Sequence, residues 1–148
     1  GSGALRDYPS FGVITSRLEE YLRGGGSLVL LGQPSDWPQG VLPIAFTPSL
    51  ENVTAVELLN RIPEAAVLSR PYAISDVNLL SWMELRRRVG AAELSPAEKV
   101  YVTPSGAALL SVTRLGEGQI IFCGLPLLEM ISELNIDAIH LFANILNY

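Results

Sequence analysis

Few residues in this chain have the types that do covalent or metal chemistry. It holds one histidine, His140, and one cysteine, Cys123, in 148 residues. A hydrolytic triad needs a nucleophile, a base and an orienting acid within hydrogen-bond reach, and Ser35-Asp36 with His140 supplies those types. Ser35 lacks the Gly-x-Ser-x-Gly elbow that presents such a nucleophile, and His140 falls on a helical segment beside core positions. The same Ser and Asp are ordinary turn and capping residues. One histidine and one cysteine give no metal-ligand spacing. Cys123 lies inside an apolar run, where a lone cysteine acts as a small core residue. No cofactor is implied.

Charged and aromatic groups offer binding chemistry instead. Arg86-Arg87-Arg88 behind Trp82 could hold a phosphate or a carboxylate-bearing sugar. Cations at the end of a solvated helix are the plainer reading. Glu129, Glu133 and Asp137 would serve glycoside hydrolysis only as a pair facing a cleft, and nothing in their spacing demands one. Gly116-Glu117-Gly118 is too short for a phosphate loop and precedes a strand, so it reads as a hairpin turn. Trp37 in the segment Gln33 to Pro38 could stack on a sugar ring or pack within its loop.

The elements that would position these groups are organised around Gly24 to Gly32. Ile14, Leu18, Tyr21 and Leu22 recur at helical spacing, with Ser10 or Thr15 as candidate caps, and Gly24 to Gly26 stop that helix. Leu28 to Leu31 is continuously apolar and predicts a strand buried on both faces. Ligands of open α/β sheets sit just beyond the carboxyl ends of such strands. Gln33, Ser35, Asp36 and Trp37 occupy that place and are the candidate binding residues.

Further on, Leu42 to Phe46 predicts a short strand, Thr54 to Leu59 a short helix, and Ala66 to Leu68 a strand. Ser75 to Arg88 predicts a helix and Gly90 to Lys99 a polar connection. Val100 to Thr103, Ala107 to Thr113 and Gln119 to Cys123 predict strands, the last two joined as a β-hairpin. Asn135 or Asp137 can cap a final helix with an apolar stripe of Ile136, Ile139, Phe142, Ala143 and Leu146.

The totals bound the rest. Hydrophobic residues make up 49 % and charged residues 17 %, as in a globular chain with a generous core. A length of 148 residues fits one domain. A net charge of −5 argues against a nucleic-acid partner. No apolar run approaches the roughly 20 residues of a membrane span. Gly1-Ser2-Gly3 reads as a cloning remnant, so the chain is expected to be a piece of a larger protein whose compartment cannot be read from it.

Helix, glycines, apolar strand, long insert, Gly-Glu-Gly hairpin and the ending Leu141-Phe142-Ala143-Asn144-Ile145-Leu146-Asn147-Tyr148 together resemble the class I glutamine amidotransferase-like family. They look most like its non-catalytic versions appended to glycoside hydrolases, including β-galactosidase trimerisation domains. The best match is Ala107 to Tyr148, with Trp82 a further similarity. The resemblance implies a three-layer α/β domain over residues 1–148, flavodoxin-like, with a mixed, mostly parallel sheet, a C-terminal β-hairpin and flanking helices. It also implies that catalysis is lost. Gly32-Gln33-Pro34-Ser35 stands where catalytic members carry a Gly-x-Cys-x-Gly elbow, with Gln33 in the nucleophile's place, and Leu125 and Leu127 stand where they carry His-x-Glu.

The expected function is that of a non-catalytic accessory or interaction domain. Its partners would be the other domains of a parent protein, carbohydrate-active as the resemblance implies, or further copies of the chain. The alternatives are a carbohydrate-binding module using Gln33, Ser35, Asp36 and Trp37, and, behind it, a hydrolase with an unrecognised site.

Overall fold

The computed structural model describes residues 11–32, 40–52, 59–60, 65–74 and 88–148. Helix α1 (Phe11–Arg23) leads into β1 (Ser27–Leu31). There follow β2 (Ala45–Asn52), β3 (Leu59–Asn60), a 3-10 turn at Ala66–Leu68, β4 (Arg88–Ser95), β5 (Glu98–Val102), β6 (Ala108–Leu115) and β7 (Gly118–Cys123). Two helices, α2 (Leu127–Ser132) and α3 (Ile136–Leu146), close the chain.

The three-layer, mostly parallel α/β expectation is corrected. The strands form one mixed sheet curled into a half-barrel, with three short helices. Among the described residues only β1 and β7 run parallel; β2–β4, β3–β5, β4–β6, β5–β6 and β6–β7 are all antiparallel. The path runs β1-β7-β6-β4-β2, with β5 beside β6 and β3 beyond β5. Ala108 of β6 meets both Ala92 of β4 and Val102 of β5, and the β5–β6 pairing shifts register between Lys99 and Tyr101 and again between Tyr101 and Val102. Irregularities of this kind bend a sheet.

The largest source of the correction is β4. Gly90-Ala91-Ala92 has little β-propensity and reads as a connection, yet Val89, Ala91 and Ala92 are fully buried. Small residues are needed there because β4 passes directly over the end of β7. The Gly90 amide donates to the Gly124 carbonyl at 3.0 Å, while the Gly124 amide donates to Leu109 at 2.8 Å. A β-carbon on Gly124 would stand inside the Gly90 carbonyl.

Other expectations shift in detail. β2 begins at Ala45 rather than Leu42 and contains Pro48, tolerable because β2 pairs, among the described residues, with β4 alone. Ala66 to Leu68 is a 3-10 turn, not a strand. Thr15 lies inside α1 and its hydroxyl donates to Gly40 and Val41, so it is no cap. The helices expected at 54–59 and 75–88 fall almost wholly outside the described residues, apart from the strand residues Leu59 and Arg88.

The hairpin and the α1–β1 unit are present as expected. β6 and β7 turn between Leu115 and Gly118. α1 ends in a Schellman motif: the Gly26 amide reaches Tyr21 O at 2.9 Å and the Gly25 amide reaches Leu22 O at 3.0 Å, with Gly25 at φ +97°. Both faces of β7 are covered. Ile121 and Cys123 join the larger core with Leu110, Val112, Leu127, Met130, Leu141 and Ile145. Ile120 and Phe122 join a smaller one with Leu22, Leu30, Leu42 and Leu94, where Phe46 meets Phe122 edge-on at 5.9 Å.

Because the Gly90–Gly124 crossing leaves no room for a β-carbon, Gly124→Ala should destabilise the chain by about 3 kcal/mol, at the upper end for overpacking. For a chain of this size the melting temperature should fall by roughly 6–12 °C. Thermal circular dichroism measures this, and an unchanged melting temperature would mean that the two strands do not cross there.

Candidate functional site

Gln33, Ser35, Asp36 and Trp37 lie outside the described residues, as do Trp82, Arg86 and Arg87. The proposed strand-end site therefore lies outside the described residues. The structure does place Gly32, which ends β1 with its amide on the Cys123 carbonyl at 3.1 Å. β1 itself is partly exposed, with Leu30 alone fully buried, so it is not the doubly covered strand its composition suggests.

His140 has a structural setting. Its ring stacks on Tyr72, centroids 4.2 Å apart and planes within 6°. One turn further along α3, Asn144 is fully buried and uses three hydrogen bonds. Its Oδ1 accepts from the Tyr72 amide at 2.9 Å, and its Nδ2 donates to Val67 O at 3.0 Å and Tyr72 O at 2.6 Å. These bonds strap residues 65–74 onto α3. The signal was a polar residue on the line of Ala138, Leu141 and Ile145, where only a satisfied group is tolerated.

Cys123 is fully buried, and burial pushes its thiol up to about 12 against a weaker opposing hydrogen bond at the Leu125 backbone. Among the described residues no three His, Cys, Asp or Glu side chains converge to hold a metal. The Ser111 and Thr113 hydroxyls of β6 are buried and unpartnered. Thr113 borders an open cavity of about 350 Å³ with Pro96, Ala97, Glu98, Val112 and Arg114. Glu98 and Arg114 are exposed there, and one hydroxyl with two solvated charges of opposite sign gives a ligand no convergent contacts.

The distinctive surface is the outer face of α2 and α3. The helix expected from Ile136 to Leu146 is present, and Asn135 caps it by accepting the Ala138 amide at 3.0 Å. The apolar stripe read from the sequence, Ile136, Ile139, Phe142, Ala143 and Leu146, is not the buried face. Ala138, Leu141, Asn144 and Ile145 point inward, while Ile136 is 65 % exposed, Ile139 40 % and Leu146 61 %. α3 is apolar on both sides and buries only one, although a helix hydrophobic all round is normally covered all round. Leu128 on α2 is also exposed.

Between the helices sits Leu134, 79 % exposed and at φ +60°. α2 ends in the same motif as α1: the Asn135 amide reaches Met130 O at 3.1 Å and the Leu134 amide reaches Ile131 O at 2.9 Å. Leu134 thus occupies the position Gly25 fills after α1. Among the described residues it is the one non-glycine at positive φ.

No protein-family model matches the chain, and no curated protein matches it. No helix among the described residues is long and apolar enough to cross a membrane.

Two outcomes test this anatomy. Asn144→Ala should cost about 3 kcal/mol, because it strands the buried Val67 carbonyl and the part-buried amide and carbonyl of Tyr72; it should also speed hydrogen exchange at the Tyr72 amide. Exchange there unchanged from wild type would refute the strap. Cys123 should resist thiol reagents in the folded state at pH 8, since the thiolate is the nucleophile. The folded thiol holds its proton more tightly than the unfolded one, so the stability linked to it is intact below pH 9 and declines towards pH 12. Rapid labelling under native conditions would contradict the burial.

Proposed function

We propose that this chain is a non-catalytic interaction domain that docks on another protein surface through the outer face of α2 and α3. The observation that carries this reading is Leu134. A leucine in the left-handed region costs roughly 1–2 kcal/mol relative to a glycine-compatible turn, and its exposed side chain gains no burial in return. Strain at a surface position, beside the exposed apolar residues Leu128, Ile136 and Ile139, is the pattern of a contact site.

The resemblance of Ala107 to Tyr148 to non-catalytic amidotransferase-like modules agrees with this reading of function, as does the absence from the sequence of the catalytic members' Cys elbow and His-x-Glu motif. The three-layer architecture that came with the resemblance is not carried forward. Carbohydrate binding through Gln33, Ser35, Asp36 and Trp37 gains no support from the described residues, and neither does hydrolysis.

The test separates folding from docking at one residue. Leu134→Gly should stabilise the chain by about 0.5–1 kcal/mol, because glycine relieves the positive φ. The melting temperature should then rise by roughly 1–4 °C, while binding of an apolar dye to the native protein falls. A lower melting temperature would assign Leu134 to folding and overturn the proposal.

A further inference from the structure

We propose that the cavity at the C-terminal end of α3 binds a phosphate group, free or carried by a small ester, between Arg70 and Arg114. The open cavity holds about 250 Å³ and is lined by Ala66, Arg70, Arg114, Asn147 and Tyr148. No carboxylate side chain is among them. Among the described residues neither guanidinium has a hydrogen bond or an ion pair, the terminal carboxylate of Tyr148 included. Elsewhere in this chain of net charge −5, Arg23 is paired with Glu19 and Lys99 with Glu93. Two cations that share one cavity repel each other, and an anion between them turns that repulsion into attraction.

The fold holds the backbone of both arginines in place. Arg114 follows Leu110 and Val112 along one face of β6, where that face leaves the larger core. Arg70 follows the 3-10 turn at Ala66–Leu68, its amide bonded to Ala66 O at 2.9 Å. Asn144 fixes the chain on both sides of Arg70, through Val67 O and through the amide and carbonyl of Tyr72. Asn147 ends α3 and gives one side-chain hydrogen to Ala143 O at 2.7 Å, so its Nδ2 has a second to donate. Tyr148 packs on the larger core. Each arginine thus has an anchored backbone and an exposed side chain, which lowers the ordering cost of gripping a ligand.

The pair selects the chemistry of its ligand. A guanidinium presents a rigid fork that matches two oxygens of an oxyanion. One fork satisfies a monocarboxylate, whereas a phosphate dianion has three terminal oxygens to divide between two forks. The negative end of α3, equivalent to about half a charge, opposes an anion here, and two guanidiniums outweigh it. The volume lies below the roughly 300–1,000 Å³ of drug-sized sites, which suits a small ester.

The test titrates the chain with inorganic phosphate, phenyl phosphate, acetate and succinate in about 0.15 M salt, which screens solvent-exposed charges beyond roughly 8 Å. The arginine Nε–Hε signals in proton–nitrogen NMR spectra report binding residue by residue. Both phosphates should shift Arg70 and Arg114 saturably and leave Arg17, an exposed arginine of α1, unmoved. Arg70→Ala and Arg114→Ala should each weaken phosphate binding about tenfold or more, as lost charge-assisted hydrogen bonds imply. Both side chains are exposed, so the variants should fold with little change in melting temperature. Arg114→Lys keeps the charge, loses the fork and should also bind more weakly. Tighter binding of phenyl phosphate than of inorganic phosphate assigns the site to an ester, and the reverse order assigns it to the free ion. No saturable shift at tens of millimolar phosphate, equal binding of acetate or succinate, or an equal loss in Arg17→Ala overturns the inference. Leu134→Gly should bind phosphate as the wild type does, so this site and the helical contact face stand or fall separately.

Discussion

The arrangement of this molecule depends on one backbone contact, the crossing of Gly90 and Gly124. Gly124 is bonded on both sides, donating to Leu109 of β6 and accepting from Gly90 of β4. It joins three strands at a point where no side chain fits. β4 can therefore leave the plane of β6 and β7, and the sheet curls instead of lying flat. The same residue ends β7 and sends the chain through Leu125 and Pro126 into α2, so the curl of the sheet and the placement of the α2–α3 face are set together.

The buried cores and the proposed contact surface are separate parts of the molecule. β6 and β7 are buried along almost their whole length, and their two faces hold the two hydrophobic cores. The inner face of α3 adds Leu141 and Ile145 to the larger core and uses Asn144 to tie down residues 65–74. The interior therefore does not need the outer side of α3 or the outward edge of β1. Apolar groups left at such places lower solubility unless they are covered in use.

The parts legible in the sequence were those with local signals. Three glycines after an amphipathic helix marked the end of α1, and Gly116 and Gly118 between apolar runs marked the β6–β7 hairpin. What was not legible depended on distant partners. Gly90-Ala91-Ala92 looks like a loop until Gly124 is placed against it. The final helix is apolar on two sides, so its periodicity fits two orientations, and only the sheet chooses between them. Leu28 to Leu31 has the composition of an interior strand but, among the described residues, the position of an edge. The strand-end residues singled out as a candidate site fall outside the described part of the chain, whereas the α2–α3 face carries no chemical motif for a sequence reading to find.

The two helix ends make the comparison that the sequence cannot. α1 and α2 stop with the same pair of hydrogen bonds, one over Gly25 and the other over Leu134. The first obeys the steric rule for a left-handed residue and the second breaks it, within one chain and one motif. Folding alone would favour glycine at both. Among the described residues Leu134 is also the most exposed of the large apolar side chains, so its strain is not offset within them. The position where local stability is worst served is thus the one on which the proposed contact face rests.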